Sequence, residues 1–247
     1  SGQPVVRPDA GFQIALVTVI DVVQRIAMDD HEVSAWFDQG SINMTDIILQ
    51  QINTDRMYDP VLSSKDDLVI LDVGANIGLF SLYAQDSASR IICLEPTPRT
   101  FNILEKITCG VDKIHRQAVA LSDHDGEISF YVSDNPTINS IVNQVGEEVR
   151  VQARTMATVL KENNLDWVDF VKCDIEGSET LAITDATLDP VKDQIGSWFI
   201  EVHQTNGSTG APWPGNLENN RQDIIAVLKN AGYSAEPIIH DQIFAWK

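Results

Sequence analysis

Cysteine is scarce in this chain, and the few cysteines follow no recognisable pattern. The 247 residues include only three, at Cys93, Cys109 and Cys173. An odd number without metal-ligand spacing indicates neither a disulfide framework nor a cysteine-rich zinc site. Cys93 and Cys173 fall in apolar segments, where free cysteine behaves as a small hydrophobic residue. This usage predicts a reducing compartment, and we expect a cytoplasmic protein.

Positive charge is also scarce, and long apolar runs are missing. Lys and Arg number 17 against 36 Asp and Glu, for a net charge of −19. Such a surface repels nucleic acids and anionic membranes, so we expect neither as a partner. The most apolar early run, residues 12–20, ends at Asp21, well short of the ~20 residues that a membrane span needs. No secretory signal is visible.

The length and composition of the chain fit one α/β domain with an extension. Hydrophobic residues make up 43% of the chain and charged residues 21%, as in ordinary globular proteins. Helical periodicity over residues 10–59 predicts two or three helices. We therefore divide the chain into an N-terminal helical extension, residues 1–66, and a cofactor-binding domain, residues 67–247. The extension could cover a sheet edge, form a homodimer contact or cap the site.

The domain is organised around a strand, a glycine-rich turn and a helix. The apolar, β-branched run Leu68–Leu71 is typical of a strand that is buried in a parallel sheet. It leads into a turn with Gly74, Asn76 and Gly78, and a helical pattern starts at Ile77. Glycine allows close approach of a ligand, and asparagine tolerates the left-handed conformation. This geometry is typical of binding sites for nucleotide-like cofactors.

The residues around the turn favour S-adenosylmethionine over a dinucleotide. The pattern is G-x-N-x-G rather than G-x-G-x-x-G, and Asp72 precedes the first glycine. A carboxylate there would repel a pyrophosphate and attract the ammonium of an amino acid. Glu95 ends the next predicted strand, 23 positions after Asp72, where a carboxylate can accept the ribose hydroxyls. A nicotinamide-dependent oxidoreductase and a cofactor-binding scaffold without activity are the competing hypotheses.

Strands and helices alternate through the rest of the chain, which predicts a mostly parallel sheet with helices on both faces. Further core strands are predicted at residues 90–96, 114–120, 167–173 and 197–202, and helices at 97–109, 155–163, 179–187 and 221–231. Residues 127–132 and 148–153 alternate as strands of an antiparallel insertion, and two last strands fall between 233 and 246.

Ser122 and Asp123 follow the strand predicted at residues 114–120. A polar side chain at that point could reach the adenine ring of the cofactor. Asp123 also begins the sequence Asp-His-Asp-Gly, which is ordinary turn chemistry. Both interpretations stay open.

Polar residues end four of the predicted parallel strands, namely Asp72, Glu95, Asp174 and His203. Ligands of open α/β sheets bind outside the carboxyl ends of the strands, so these side chains should share one edge. We expect His203 to remove a proton from a hydroxyl, oriented by Asp174 or Glu201, with Glu176 nearby. Asp174, Glu201 and His203 could alternatively hold a divalent metal, although no spacing enforces it.

The loop at residues 204–220 is rich in Gly, Pro and Asn and contains Trp213. Long loops inside compact domains are often functional lids. We expect this loop to close over the acceptor, with Trp213 as an apolar wall.

Taken together, five segments resemble FkbM-type methyltransferases. They are DVGANIGLFSL from Asp72, LEPTP from Leu94, AVALSD from Ala118, VKCDIEGSE from Val171 and IEVH from Ile200. The resemblance covers residues 68–246 and implies a class I S-adenosylmethionine fold that methylates a hydroxyl of a polyketide, sugar or related small molecule. It places Asp72, Gly74, Asn76, Gly78 and Glu95 at the cofactor, and we add the adjacent Ala75 and Pro96.

The resemblance extends to a later motif and shows one departure. Lys172, Asp174, Glu176, Gly177 and Glu179 match the later family motif. The family commonly has Thr-Leu-Asp before the helix at residue 155, where this chain has Thr155-Met156-Ala157. No role is carried over to those three positions.

Overall fold

The computed structural model describes residues 57–132, 141, 146–203, 216–238 and 241–247. Most of the predicted helical extension, residues 1–56, and most of the predicted lid, residues 204–215 with Trp213, lie outside these residues. The domain boundary at residue 66, the homodimer contact and the lid therefore stay predictions.

The described chain forms a seven-stranded sheet in the order β3-β2-β1-β7-β8-β10-β9, in which β10 runs antiparallel to both of its neighbours. Its strands are β1 (Leu68–Val73), β2 (Ala88–Leu94), β3 (Ile114–Gln117), β7 (Val168–Cys173), β8 (Ile195–Glu201), β9 (Ser234–Pro237) and β10 (Gln242–Trp246). Successive strands are added on one side of β1 from β1 to β3 and on its other side from β7 onwards, so the switch point of the strand order lies between β1 and β7. The strand ends on either side of that point form the crevice where such folds bind ligands.

Helices cover both faces of this sheet, as predicted from the alternating pattern. They are α1 (Asp59–Leu62), α2 (Leu79–Ala84), α3 (Pro98–Ile107), α4 (Met156–Glu162), α5 (Glu179–Ala182), α6 (Asp185–Leu188) and α7 (Asn216–Asn230). The first three pack in one apolar cluster with strand residues such as Ile70 and Phe170. The other four pack in a second cluster with residues such as Leu71 and Val171. Alternate side chains of β1 and β7 thus serve opposite layers.

The single strand predicted at residues 114–120 is wrong, because the chain changes sheets there. Residues 114–117 pair with β2 in the main sheet. Residues 119–121 form β4, which pairs with β6 (Glu147–Arg154) in a three-stranded sheet completed by β5 (Gly126–Val132). The predicted antiparallel insertion is therefore present as β5 and β6, and β4, which follows β3 directly, connects it to the main sheet.

The single helix predicted at residues 179–187 is also divided. Ile183 has an extended backbone, and α6 restarts behind it with Thr184 as its cap. The Thr184 hydroxyl accepts a hydrogen bond from the Thr187 amide at 3.2 Å. A capping threonine competes with helix continuation, which explains the break. Among the described helices, none is long and apolar enough to cross a membrane.

Candidate active site at the carboxyl edge of the sheet

The loop after β1 is held close to the loop after β7. The amides of Gly74 and Ala75 both donate to the Leu94 carbonyl, each at 3.0 Å. Gly74 has φ +74°, and a Cβ there would lie 1.8 Å from the Asp174 carbonyl oxygen. Any side chain at position 74 would therefore push the two loops apart. Asn76, at φ 50°, takes the left-handed turn that the sequence predicted.

Glu95 stands at the end of β2, buried at 6% exposure and lining the cavity described below. Its Oε2 accepts the Asn76 amide at 3.1 Å and its Oε1 accepts the Thr97 amide at 2.8 Å. Burial raises the pKa of Glu95, and these amides act against that rise. A carboxylate oxygen accepts more than one hydrogen bond, so both oxygens retain capacity for the hydroxyls of a ribose. The geometry fits the predicted role.

Asp72 lies elsewhere than expected. Its side chain is fully buried and, among the described residues, is not part of the cavity wall. The Ser81 hydroxyl donates to Oδ2 at 2.7 Å, and Lys172 Nζ lies 3.7 Å from Oδ1. Burial raises the pKa of Asp72, and Lys172 opposes this. The carboxylate therefore ties α2 and Lys172 to β1 from beneath the site, so it does not face the ammonium of a cofactor.

One cavity of about 390 Å³ runs along the carboxyl edge of the sheet. This volume is within the usual range for small-molecule sites. Its apolar end is formed by Val119, Ala120 and Leu121 of β4 with Phe130 of β5. All predicted catalytic residues line it, together with five of the predicted cofactor residues: Asp174, Glu176, Glu201, His203, Gly74, Ala75, Asn76, Glu95 and Pro96.

Three other predicted cofactor residues, in the described part of the chain, are not in the cavity wall. Gly78 caps α2 at φ 87°, where a Cβ would lie 2.6 Å from Leu104 Cδ1, so it serves packing. Asp123 is exposed and accepts from the Ser122 hydroxyl at 3.1 Å. Its carboxylate also contacts His124 Nδ1 at 2.6 Å. The cavity wall on that side is instead apolar, formed by the β4 residues just before Ser122.

The opposite end of the cavity holds a group of carboxylates around one imidazole, which we call the acidic cluster: Asp174, Glu176, Glu179, Glu201 and His203. His203 Nε2 lies 3.5 Å from Glu176 Oε2, 3.8 Å from Asp174 Oδ1 and 3.9 Å from Glu201 Oε1. His203 is therefore next to Asp174, as predicted from adjacent strand ends. Glu176 reaches it from a left-handed backbone, φ 54°, in the loop after β7.

The residue that orients His203 is Glu179, rather than Asp174 or Glu201 as predicted. Its Oε1 lies 3.0 Å from His203 Nδ1, and its Oε2 accepts the His203 amide at 3.4 Å. The Asn220 side chain donates to the His203 carbonyl at 3.0 Å and fixes the backbone from α7. Glu179 belongs to a matched motif, but no spacing indicated that its side chain would turn back to the β8 end.

The charges of the acidic cluster are strongly coupled. Burial alone would lower the pKa of His203, but Glu179, Asp174 and Glu176 together hold it well above its usual range. Burial raises the pKa of Glu176 to about 9, against the effect of the imidazolium. Burial and Asp174 raise the pKa of Glu201 to about 7. At neutral pH the imidazole is thus a cation, and Glu201 is the group poised to exchange a proton.

Lys172 is the second cation of the site. Its Nζ donates to the Gly74 carbonyl at 3.2 Å and to Asp174 Oδ2 at 3.3 Å. Burial would lower the pKa of Lys172, but Asp174 and Asp72 more than offset this and raise it. Lys172 thus stays charged and joins the loops after β1 and β7.

A divalent cation would find ligands in the same cluster. One ligand atom each from Asp174, Glu176 and His203 lies within 4.8 Å of the others. Carboxylate and imidazole ligands of this kind suit several divalent metals. Compared with the predicted metal set, Glu176 takes the place of Glu201.

A strand–turn–helix at the switch point, a carboxylate at the β2 end and an apolar cavity wall beyond it are typical of the class of S-adenosylmethionine-dependent methyltransferases. The profile of the family described as "Methyltransferase FkbM domain" matches residues 72–235. The chain belongs to that family. The resemblance predicted from its five motifs, the class I fold and the cofactor are thereby confirmed.

Several curated proteins are similar to the chain. "Methyltransferase 1" of Beauveria bassiana is 27% identical over 186 residues, which cover 64% of this chain and 73% of that protein. "31-O-demethyl-FK506 methyltransferase FkbM" of Streptomyces tacrolimicus is 22% identical over an alignment 255 residues long, which covers 87% of this chain and 90% of that protein. "2-O-methyltransferase NoeI" of Sinorhizobium fredii is 26% identical over 140 residues, covering 48% and 57%.

Proposed function

We propose that this methyltransferase acts on a hydroxyl oxygen of a small molecule, of the polyketide, sugar or related kind. The observation that carries the proposal is the continuity of one cavity from Glu95 to the acidic cluster. A ribose-binding carboxylate and a group that can accept a hydroxyl proton thus face one space. Two relatives carry names that specify O-methylation. The net charge of −19 argues against a nucleic acid or an anionic membrane as partner.

Different residues along the cavity would bind different parts of the cofactor and the acceptor. Bound S-adenosylmethionine would supply an electrophilic methyl group at the acidic end. Glu95 would hold its ribose, and Val119 and Leu121 would contact its adenine. The loop around Gly74 would contact the cofactor through its backbone. Because methyl transfer is an in-line displacement, correct placement of the acceptor accounts for much of the catalysis.

The acceptor proton would leave through the acidic cluster. The sequence predicted His203 as the base, but its imidazole is already protonated at neutral pH because carboxylates surround it. We infer that Glu201 accepts the proton, since a base is most effective when its pKa lies near the working pH. His203 then acts as a positioning cation held by Glu179.

A metal-assisted version uses the same residues. A cation bound by Asp174, Glu176 and His203 would lower the pKa of a bound hydroxyl, so that its proton could pass to solvent water rather than to a protein base. A chelator separates the two versions. If turnover persists in chelator-treated, metal-free buffer, the general-base version holds. If turnover is lost and returns with Mg²⁺ or Mn²⁺, the metal-assisted version holds.

The test is methyl transfer from isotope-labelled S-adenosylmethionine to a panel of sugars, phenols and macrolide alcohols. We expect label in a compound with a free hydroxyl and none in the same compound already O-methylated. Label in an amine panel alone would contradict O-methylation. Stabilisation by S-adenosylhomocysteine without turnover of any panel member would favour the inactive scaffold.

The location of the protein is part of the proposal. All three cysteines are free, and two of them are buried in the core. Free buried thiols suit a reducing compartment. We infer a cytoplasmic enzyme.

A further inference from the structure

Tyr58 lies in the segment before the family-matched region and yet belongs to the cavity. It directly precedes α1 and is buried at 3% exposure. Its side chain lines the cavity beside Phe80 and Lys172. The matched region begins only at residue 72, so the family motifs say nothing about this position.

The ring of Tyr58 is fixed by aromatic packing. Its centroid lies 4.7 Å from that of Phe80 and 4.8 Å from that of Phe199. These contacts come from α2 and β8, the elements that follow the glycine turn and lead to the acidic cluster. Two aromatic neighbours on different elements leave the ring little freedom, so the hydroxyl has a defined position.

The hydroxyl of Tyr58 makes no hydrogen bond to any described residue, although buried tyrosines usually find a partner. By contrast, the buried Tyr233 hydroxyl lies 2.9 Å from two backbone carbonyl oxygens, those of Lys192 and Ile195, which share its one hydrogen. The Tyr83 hydroxyl donates to Asp59 Oδ1 at 2.7 Å. Tyr58 therefore offers a donor to the cavity.

The surroundings keep this donor protonated. Burial raises the pKa of Tyr58, Lys172 lowers it, and Asp174 and Glu201 raise it further. A phenol in this state donates a hydrogen bond and does not accept a proton from an acceptor. The partner it suits is an oxygen, and a carboxylate oxygen is the strongest such acceptor.

The sheet order shows which oxygen is available. Glu95 ends β2, so a ribose bound there places adenine towards β4 and the amino-acid part towards β1 and β7. That part is a zwitterion. Asp174 attracts its ammonium and repels its carboxylate. The carboxylate then needs hydrogen-bond donors, and Tyr58 and the Lys172 ammonium, which both line the cavity, can supply them.

We propose that Tyr58 binds the carboxylate of the cofactor's amino-acid part by donating its phenolic hydrogen, with the Lys172 charge in support. The residue thereby makes the segment before the family domain a part of the cofactor site. The proposal rests on S-adenosylmethionine as the cofactor, as the proposed function does, but it requires no known acceptor.

The test is calorimetric binding of two probes, S-adenosylhomocysteine and its analogue with a 3-aminopropyl thioether, which keeps the ammonium and lacks the carboxylate. Tyr58→Phe keeps the ring packing and removes only the donor. We expect it to weaken S-adenosylhomocysteine ~10- to 100-fold, as for a charge-assisted bond. Binding of the analogue should change less than twofold. Wild type should itself prefer S-adenosylhomocysteine to the analogue.

Tyr233→Phe is the matched control, because it removes a buried hydroxyl that is not part of the described cavity wall, and it should leave both affinities unchanged. Unchanged binding of S-adenosylhomocysteine to Tyr58→Phe would overturn the proposal and point to an acceptor contact instead. Equal weakening of both probes would also overturn it, since the role would then be packing. If wild type bound neither probe, the cofactor assignment of the proposed function would fail first.

Discussion

His203 and Glu179 join two loops that the sequence separates by 24 residues. His203 Nδ1 lies 3.0 Å from Glu179 Oε1, and Glu179 is 1% exposed. The same oxygen accepts the amides of Ile175 and Gly177 at 3.1 and 3.2 Å. One buried carboxylate thus fixes the loop after β7 and the imidazole after β8 together. It sets which side of the ring faces the other three carboxylates of the acidic cluster.

Glu179→Gln should separate positioning from cofactor binding. The amide oxygen can still accept the loop amides, but the negative charge that holds the imidazolium is lost. We expect turnover to fall ~10- to 100-fold, as for supporting partners of functional histidines. The dissociation constant of S-adenosylhomocysteine should change less than twofold. Glu162→Gln, at an exposed partner of Arg154, is the control and should behave as wild type. Unchanged turnover in Glu179→Gln would show that the contact is dispensable.

The pH profile should identify the base. Because the pKa of Glu201 lies at about 7, kcat/KM of wild type should fall as pH drops below that value. Glu201→Gln should lower turnover ~10²- to 10⁴-fold and remove this acidic limb. The His203 imidazolium lowers the pKa of Glu201, so His203→Gln should move the limb to higher pH. A limb that survives in Glu201→Gln and vanishes in His203→Gln would restore His203 as the base.

Glu176 should make the fold less stable as pH rises. Its folded pKa, about 9, lies above the unfolded value near 4.5. The folded state therefore holds the extra proton between these values. The contribution is complete below about pH 4.5 and is lost towards pH 9, with a slope of up to ~1.4 kcal/mol per pH unit.

Glu176→Gln removes this titration. Relative to wild type, the free energy of unfolding of the variant should increase between pH 5.5 and 8.5, measured by urea denaturation at several pH values. Glu105→Gln on the exposed side of α3 is the control and should run parallel to wild type. A constant difference between Glu176→Gln and wild type would mean that Glu176 ionises normally in the fold.

Local sequence patterns correctly predicted the residues whose place in the site is set by the course of the backbone. Glycine and asparagine in the turn after β1, and a carboxylate at the end of β2, follow from strand, turn and interval, so Gly74, Asn76 and Glu95 lie at the cavity. The break at Ile183 and the change of sheet after Gln117 could not be read this way. The change of sheet depends on pairing of residues 119–121 with β6, which is distant in sequence. The break at Ile183 depends on the Thr184 side chain, which caps a new helix.

Roles that depend on side-chain direction were predicted least well. Asp72 ends the same strand that sets up the turn, but its side chain points beneath the site to Ser81 and Lys172. Glu179 and Tyr58 reach the site from a helix start and from outside the matched region. Strand ends identify an edge of the sheet, whereas side-chain direction is decided by packing between elements.

Asp72→Asn should test the corrected position of that residue. If Asp72 supports the fold from beneath, the substitution removes a buried charge partner of Lys172. It also weakens the hydrogen bond that the Ser81 hydroxyl donates to this side chain, because the acceptor is no longer charged. Breaking a buried pair commonly costs ~3–5 kcal/mol. Asp174 still contacts Lys172 at 3.3 Å, so we expect the lower part of that range in urea denaturation. The affinity for S-adenosylhomocysteine should change little in protein that remains folded.

Glu95→Gln should show the opposite result to Asp72→Asn, with a large loss of affinity and a small loss of stability. The amide oxygen can still accept one of the two loop amides, so stability should change by less than in Asp72→Asn. Binding of S-adenosylhomocysteine should weaken by ~1.5–3 kcal/mol, because charge-assisted bonds to the ribose hydroxyls are lost. Calorimetry of both variants at one temperature, each checked for folding, gives the two numbers. If Asp72→Asn lost more affinity than Glu95→Gln at equal folded fraction, Asp72 would act on the cofactor after all, as its place before the glycine turn first indicated.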